Sequence, residues 1–230
     1  MQQNFINGFT HELKTPITSL RLFLDTFSRY ELDDASKKKY LGYMIRDTER
    51  LSVNVNQILN LARLEDKKYE PQWEVGNLAL FIREWLLTSN HWKNEADVVL
   101  LNTEDDFSDP SLFVKYDINL LPLVFMNLVN NALIYNDSEK PKVEIRIKQK
   151  GKKLHVSFTD NGIGIPKVYA KKVFLKFFQI GKTGKGSGIG LYLVHTVMRF
   201  HKGSVSLFSG GEGEGTSFIL SFPKVKEEAI

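Results

Sequence analysis

The sequence predicts an α-helical hairpin, paired into a four-helix bundle in a dimer, followed by an α+β sandwich. Three observations predict it. Up to residue 65, apolar residues recur at steps of three and four. That periodicity ends in DKKYEPQWE, residues 66–74, where Pro71 stops any continuing helix. Beyond it, short helical and alternating stretches follow one another, an order that suits helices on one face of a mostly antiparallel sheet. The expected division is a hairpin at 1–66, a linker at 67–74 and a second domain at 75–225.

In the first helix, Phe5, Phe9, Leu13, Ile17, Leu20, Leu24 and Phe27 form the apolar stripe, and Pro16 inside it should kink the helix. Residues 31–35 break the pattern and carry the turn, with Asp34 or Ser36 as the cap of the next helix. The second helix repeats Leu41, Met44, Thr48, Leu51, Val55, Ile58 and Ala62, a heptad seam. Two helices cannot bury such seams alone, whereas a dimer of hairpins can. A monomeric hairpin packed on the second domain is the plainer alternative. In the second domain, helices are expected at 78–91, 120–135, 167–178 and 190–200. Strands are expected at 98–101 and 113–116, at 143–148 and 154–159 around Gly151, and as a hairpin at 205–208 and 217–222.

The chain is 230 residues long and 42% hydrophobic, enough for packed cores. It has no cysteine, which excludes disulfides, a thiol nucleophile and thiolate metal sites, and fits a reducing cytosol. Its net charge of +4 is spread over short lysine runs at 37–39, 150–153 and 171–172. These read as solvated helix ends and loops, so no nucleic-acid partner is expected. No apolar run approaches the roughly 20 residues of a membrane span, and the polar start is no signal peptide. A soluble, cytoplasmic chain is expected, with membrane attachment only through a sensor region preceding it.

His11 is the first candidate for chemistry. At about 100° per residue it lies about 200° from Phe9, away from the apolar stripe, with Thr15 and Thr18 within about 40° of it. Spacing alone makes it an ordinary exposed histidine. A neutral imidazole is also a nucleophile, the adjacent Glu12 can take its proton, and Pro16 loosens the helix one turn on. The stretch FTHELKTPITSL, residues 9–20, resembles the phosphoacceptor box of two-component sensor histidine kinases: His, Glu, two spacers, Thr or Asn, then Pro. The resemblance implies that His11 is phosphorylated, that Glu12 is its base, and that Thr15 positions water when the partner is dephosphorylated.

Four further stretches follow in the order of that family. In MNLVNNALIYN, residues 126–136, Asn127 and Asn131 are four apart on one helix face, so both amides can point at one ligand. Amide oxygens suit Mg²⁺. By resemblance Asn131 coordinates Mg²⁺, Asn127 supports the phosphates or the transfer step, and Tyr135 lines the base pocket; Asn130 is extra and expected to face solvent. In TDNGIGIP, residues 159–166, Asp160 ends an apolar strand and Gly162 and Gly164 permit a tight turn, an adenine site in this setting. In VFLKFFQI, residues 173–180, the resemblance makes Phe174 and Phe178 lid anchors and turns Lys176 to phosphate. In GKGSGIGLYLV, residues 184–194, Gly186, Gly188 and Gly190 precede an apolar helix opening at Leu191, where exposed amides and the helix N-terminus favour anions. A dinucleotide loop is excluded, because no six-residue strand immediately precedes the glycines and no acidic residue follows at the required distance. EGEGTSFILSF, residues 212–222, resembles the last box of that family, which implies that Thr216 reaches the nucleotide; a hairpin turn alone also explains its glycines.

The resemblance covers nearly the whole chain. It implies a dimerising hairpin joined to a Bergerat-type ATP-binding domain, ATP and Mg²⁺ as cofactors, and a homodimer. It also implies phosphoryl transfer from ATP to His11 and on to an aspartate of a response-regulator receiver domain. Nothing after residue 222 resembles a receiver, so that partner is a separate chain. Phosphatase activity toward the regulator belongs to the same reading. Two positions depart from the family pattern, Ile134 and Gln179, where basic residues are common; Lys176, Lys182 and Lys185 are the compensating candidates. The alternatives are a nucleotide-binding pseudokinase or scaffold, and a gyrase- or chaperone-like ATPase, which would leave the hairpin unexplained.

Overall fold

The structure is a computed structural model. It describes the backbone at residues 2–66, 68–89, 92, 95–101, 109–181 and 186–225, and the side chains of the same residues from Leu13 onward, Pro110 excepted. The chain forms two compact units, residues 1–67 and 68–230.

The first unit is a pair of helices, α1 (Gln2–Arg29) and α2 (Asp34–Glu65), and α1 carries Pro16 inside it without interruption. The cap of α2 is Asp33, not Asp34 or Ser36. Asp33 has extended backbone and its carboxylate accepts from the Ser36 N–H at 2.6 Å, so Ser36 supplies a donor and Asp34 is already helical. Aromatic rings join the helices: Phe23 of α1 lies 5.6 Å from both Tyr40 and Tyr43 of α2. The Ser19 hydroxyl donates to Asp47 across the same interface. Leu41 and Val55 of the predicted seam remain exposed, at 49% and 37%.

The second unit opens with β1 (Trp73–Asn77), a strand the sequence reading placed partly in the linker. It pairs antiparallel with β3 (Phe113–Asp117). Between them run α3 (Leu78–Thr88) and β2 (Asp97–Leu101). Asn77 caps α3, its side-chain oxygen accepting from the N–H groups of Ala79 and Leu80. Then come α4 (Leu121–Ile134), β4 (Lys142–Lys150), β5 (Lys153–Asp160), α5 (Gly190–Phe200), β6 (Ser204–Phe208) and β7 (Thr216–Pro223). The main sheet has the order β2-β4-β5-β7-β6; β2 is parallel to β4 and the other pairs are antiparallel.

A single helix expected at 167–178 is absent. That stretch holds two short 3₁₀ turns, Lys167–Tyr169 and Lys172–Phe174. Its apolar residues do not share a buried face: Val173 is buried, whereas Val168 and Leu175 are exposed. Phe177 then adopts a left-handed φ of 64°, which a helix does not tolerate.

Strand alternation gives the sheet one apolar face. Val143, Ile145, Leu154, Val156, Phe158, Phe218, Leu220 and Phe222 are buried, against Leu121, Phe125 and Leu128 of α4 and Leu193, Val197 and Met198 of α5. The rings of Phe125 and Phe158 meet at 5.5 Å.

The polar centre of this core is Asp117, fully buried at the end of β3. Its Oδ2 accepts from the Tyr69 hydroxyl and the Gln72 N–H, and its Oδ1 from the N–H groups of Asn119 and Leu120 at the start of α4. Its own N–H donates to Nε2 of His201, while Nδ1 of His201 donates to the Val197 carbonyl. This fixes His201 as a neutral tautomer. Burial pushes its pKa below the usual value, against the opposing pull of the Val197 bond and the nearby Asp117. Replacing Asp117 by Ala removes the acceptor of four donors, one of them the buried Leu120 N–H. The expected loss is at least about 3 kcal/mol of stability. All three tryptophans (Trp73, Trp85 and Trp92) lie in this unit, so urea unfolding of the full chain followed by tryptophan fluorescence reads it; an unchanged midpoint would rule out the central role of Asp117.

Candidate functional site

One cavity of about 450 Å³ opens between the C-terminal half of α4, the end of β5, the loop after it, and the N-terminus of α5. Four separated stretches of sequence meet there. Asn131 and Tyr135 come from α4 and its C-cap, Asp160 and Gly164 from the end of β5, Leu191 from the first turn of α5, and Thr216 from the start of β7.

Asp160 anchors the floor. Its Oδ1 accepts from the N–H groups of Gly162 at 2.9 Å and Thr216 at 3.0 Å. Oδ2 accepts from no described residue. Burial raises the pKa of this carboxyl, and the two backbone bonds offset part of the rise. A carboxylate so placed is an acceptor for one donor group of a ligand. Thr216 contributes its backbone N–H to this arrangement and lines the same wall.

The glycines are there for approach. Gly164 has φ 75° and packs on the Gly211 carbonyl, where no Cβ fits. A Cβ on Gly162 would collide with the Tyr135 carbonyl, which already accepts from the Ile163 N–H. The loop after β5 is thereby held against the end of α4. On the other side, Gly188 has φ 64°, and its carbonyl accepts from the Phe177 N–H at 2.9 Å. Gly190 opens α5, and Ser187 caps the turn before it by accepting from the Ile189 N–H.

Asn131 lines the cavity, and its Nδ2 is buried without a hydrogen-bond partner among the described residues. The paired amides expected from the sequence are not both delivered. Asn127 is buried and does not line the cavity: its Nδ2 donates back to the Leu123 carbonyl at 2.7 Å, the preceding turn of its own helix. Asn130 is half-buried rather than solvent-facing.

Lys176 is also not brought in. Its ammonium lies 5.3 Å from the Tyr192 ring centre. Phe178 lines the cavity, while Phe174 packs against His195 and Phe218. Gly162, Gly186, Gly188 and Gly190 shape the surrounding backbone without lining the cavity itself. Thr15 is exposed on α1. The side chains of His11 and Glu12, and residues Lys182 and Lys185, lie outside the described residues.

Several lining residues went unnoticed in the sequence: Asp137, Ile163, Ile165, Pro166, Val173, Ile180, Glu212, Gly213 and Phe218. Phe218 was within reach of strand parity, two residues beyond Thr216 on the same face. Asp137 and Glu212 had no local signal. With Asp160 they place three carboxylates on the wall, and no described lining residue is Lys or Arg.

Two family profiles match the chain. Residues 1–67 match the His Kinase A (phospho-acceptor) domain, and residues 116–226 match the histidine kinase-, DNA gyrase B-, and HSP90-like ATPase. Sensor protein kinase WalK of Staphylococcus aureus is 27% identical over 229 residues, 96% of this chain and 54% of that relative. WalK of the Newman strain is also 27% identical, with 36% of its length covered. The chain thus spans about a third to a half of the curated relatives it matches. Among solved structures, Acinetobacter baumannii histidine kinase AdeS aligns over 94% of this chain and 98% of its own, with TM-score 0.68 and 21% identity. Histidine kinase ThkA in complex with response regulator protein TrrA aligns over 96% of this chain and 61% of its own, with TM-score 0.72 and 24% identity. At these identities both show the fold. The nucleotide-free catalytic domain of ThkA is 27% identical over 67% of this chain and 99% of its own, with TM-score 0.55.

Proposed function

We propose, from the premise that the chain belongs to the two-component sensor histidine kinases and carries both their phosphoacceptor and their ATP-binding domain, that it phosphorylates its own His11 from ATP and passes the phosphoryl group to a response-regulator aspartate. The observation that carries the reading is the meeting of Asn131 and Tyr135, Asp160, Leu191 and Thr216 in one cavity from four separate stretches. In this reading the adenine amino group donates to Oδ2 of Asp160. Tyr135 and Leu191 flank the base, and Thr216 and Gly164 close the wall beside it. Gly162 sets the turn that presents Asp160. The amides around Gly186, Gly188 and Gly190 and the N-terminus of α5 take the phosphates.

Asn131 fits a role toward Mg²⁺. Its amide reaches the cavity, its Nδ2 lacks a partner among the described residues, and Oδ1 is a hard oxygen donor. Among the described residues no cluster of three or more His, Asp or Glu could hold a metal alone. Such a thin donor set matches Mg²⁺, which keeps water and phosphate oxygens as ligands. When bound, the ion would neutralise phosphate charge. Asn127, turned to the Leu123 carbonyl, would support the site by packing α4. A role for Lys176 at phosphate requires it to leave the Tyr192 ring.

In the transfer, an imidazole nitrogen of His11 attacks the γ-phosphorus. The N–P bond forms, the bond from the γ-phosphorus to the bridging oxygen breaks, and ADP leaves. Glu12 takes the ring proton. Catalysis is positioning and charge stabilisation, as in other phosphoryl transfers. Thr15 would orient water for the reverse task on the regulator. The hairpin is the dimer contact, supported by the exposed seam residues Leu41 and Val55. Among the described residues no helix is long and apolar enough to cross a membrane.

A second reading is favoured by one observation. The cavity wall carries three carboxylates and no described cation, which suits a domain that binds nucleotide and signals without transfer.

The following measurements test this. Incubation with γ-labelled ATP should give a base-stable, acid-labile phosphoprotein that hands its label to a receiver domain. His11→Gln should abolish the label while ATP still binds; label persisting on that variant would move the acceptor elsewhere, and binding without label in the wild type would favour the second reading. Asp160→Asn should weaken ATP roughly tenfold to a hundredfold, the worth of a charge-assisted hydrogen bond of about 1.5–3 kcal/mol. Because burial raises the Asp160 pKa above 3.8, wild-type affinity should fall as pH drops through that raised value. The folded state binds the extra proton there, so the apo protein should gain stability over the same window. Asp160→Asn should lack both steps, and identical pH profiles would reject the assignment. Sedimentation should give a dimer; a monomer at micromolar concentration would remove the hairpin's assigned role.

A further inference from the structure

Gln179 stands where relatives often carry a basic residue, and its place in the structure gives it a different task. Its side chain lines the cavity. Its Nε2 donates to the Gly186 carbonyl at 2.6 Å. The acceptor is a carbonyl, which fixes the amide with nitrogen toward Gly186. Gly186 in turn sits so close to Tyr135 that a Cβ there would lie 2.8 Å from the phenolic oxygen. Two residues back, the Phe177 N–H donates to the Gly188 carbonyl. Phe177 reaches it with a left-handed backbone, φ 64°, that an aromatic residue adopts only when its surroundings hold it there. Gly188, also left-handed, leaves no room for a Cβ against the Phe177 backbone.

Among the described residues, the strip 177–179 therefore holds the glycine stretch at two points, on either side of Ser187. One hold is backbone and strained; the other is the Gln179 side chain. Only the second reaches into the cavity. We propose that Gln179 is the positioning residue of the phosphate-binding backbone: its amide holds Gly186 beside Tyr135, so that the amides leading into α5 are aimed before nucleotide arrives. This rests on the nucleotide reading of the cavity. An amide does this by directed hydrogen bonding and adds no charge, so the departure at this position exchanges a point charge for a pre-formed loop.

The distinguishing signature is dependence on phosphate. Gln179→Met keeps the length of the side chain and removes its donor. ATP and ADP dissociation constants of the full chain, measured with Mg²⁺ by calorimetry, should rise about five- to tenfold, the worth of one net hydrogen bond. The adenosine dissociation constant, measured by displacement of a fluorescent adenine nucleotide, should stay within about twofold, because the base end at Asp160 is untouched. Gln179→Glu, which turns an acceptor toward the Gly186 carbonyl, should weaken ATP at least as much as Gln179→Met. Equal affinities for ATP in wild type and Gln179→Met would overturn the proposal. So would an equal loss for adenosine and ATP, which marks a merely structural side chain. A wild-type chain that binds no ATP would instead remove the nucleotide reading beneath it. If Gln179→Met lowers the melting temperature of the apo protein, Gln179→Glu at matched stability carries the same comparison.

Discussion

The Asp117 carboxylate has no exposure, and taking a carboxylate out of water costs several kcal/mol unless its lone pairs are filled. Here they are filled, by donors from three directions. Tyr69 and Gln72 bring in the segment that enters the second unit, and the N–H groups of Asn119 and Leu120 start α4. Through its own N–H, Asp117 also reaches His201, the C-cap of α5. The two helices that flank the cavity are thus tied to one charged atom group at the far end from the cavity mouth. Asn131 and Tyr135 sit at the C-terminal end of α4, and Leu191 at the N-terminal end of α5. Neither helix can slide without breaking a buried bond, the Leu120 N–H to Asp117 at the start of α4 or the Asp117 N–H to His201 at the end of α5.

At the other end of those helices the protein uses backbone where it might have used side chains. Asp160 is held by two N–H groups, and the Tyr135 carbonyl takes a third. Each bond needs chains closer than a side chain would permit, and glycine is the residue that permits it at 162, 164 and 188. The same economy leaves two cavity-facing groups without a partner among the described residues: Oδ2 of Asp160 and Nδ2 of Asn131. The Asp160 end of the cavity is thereby fixed by backbone bonds that its glycines permit.

Which parts were legible follows from the range of the forces involved. The long helices, the sheet hairpins and the cavity-lining Asn131, Asp160 and Thr216 carry local patterns: steps of three and four, alternation, and glycines beside a polar residue. The cap of α2 was misread by one residue, since Asp33 and Asp34 both satisfy the local rule and only backbone geometry separates them. Strand β1 was missed because its first two residues fall in the stretch after Pro71 assigned to a linker; within it, a Cβ on Gly76 would come within 2.9 Å of the Tyr116 hydroxyl. The helix expected at 167–178 followed an apolar spacing that tertiary contacts do not use. Asp117 carried no signal at all. An aspartate after a strand reads as a turn, and its partners lie as far off as 84 positions. Asn127 shows the converse limit: helix periodicity put it near Asn131, and a bond to its own helix took its amide away.

The charge of the cavity wall gives the last step. Asp137, Asp160 and Glu212 face it and no described lining residue is cationic, while Ile134 and Gln179 are neutral. The described lining side chains therefore offer a polyphosphate no Coulomb attraction of their own. In the proposed reading the favourable contacts among the described residues are the directed N–H groups at the start of α5, which act at short range. Short-range terms reward geometry. A domain built on point charges can tolerate a loosely held glycine stretch, because a Coulomb attraction falls off slowly. A domain built on amides cannot, because a hydrogen bond weakens steeply once its donor is misdirected. If the phosphates are held by amides as proposed, the left-handed Phe177 and the bond from Gln179 to Gly186 are what such a site requires.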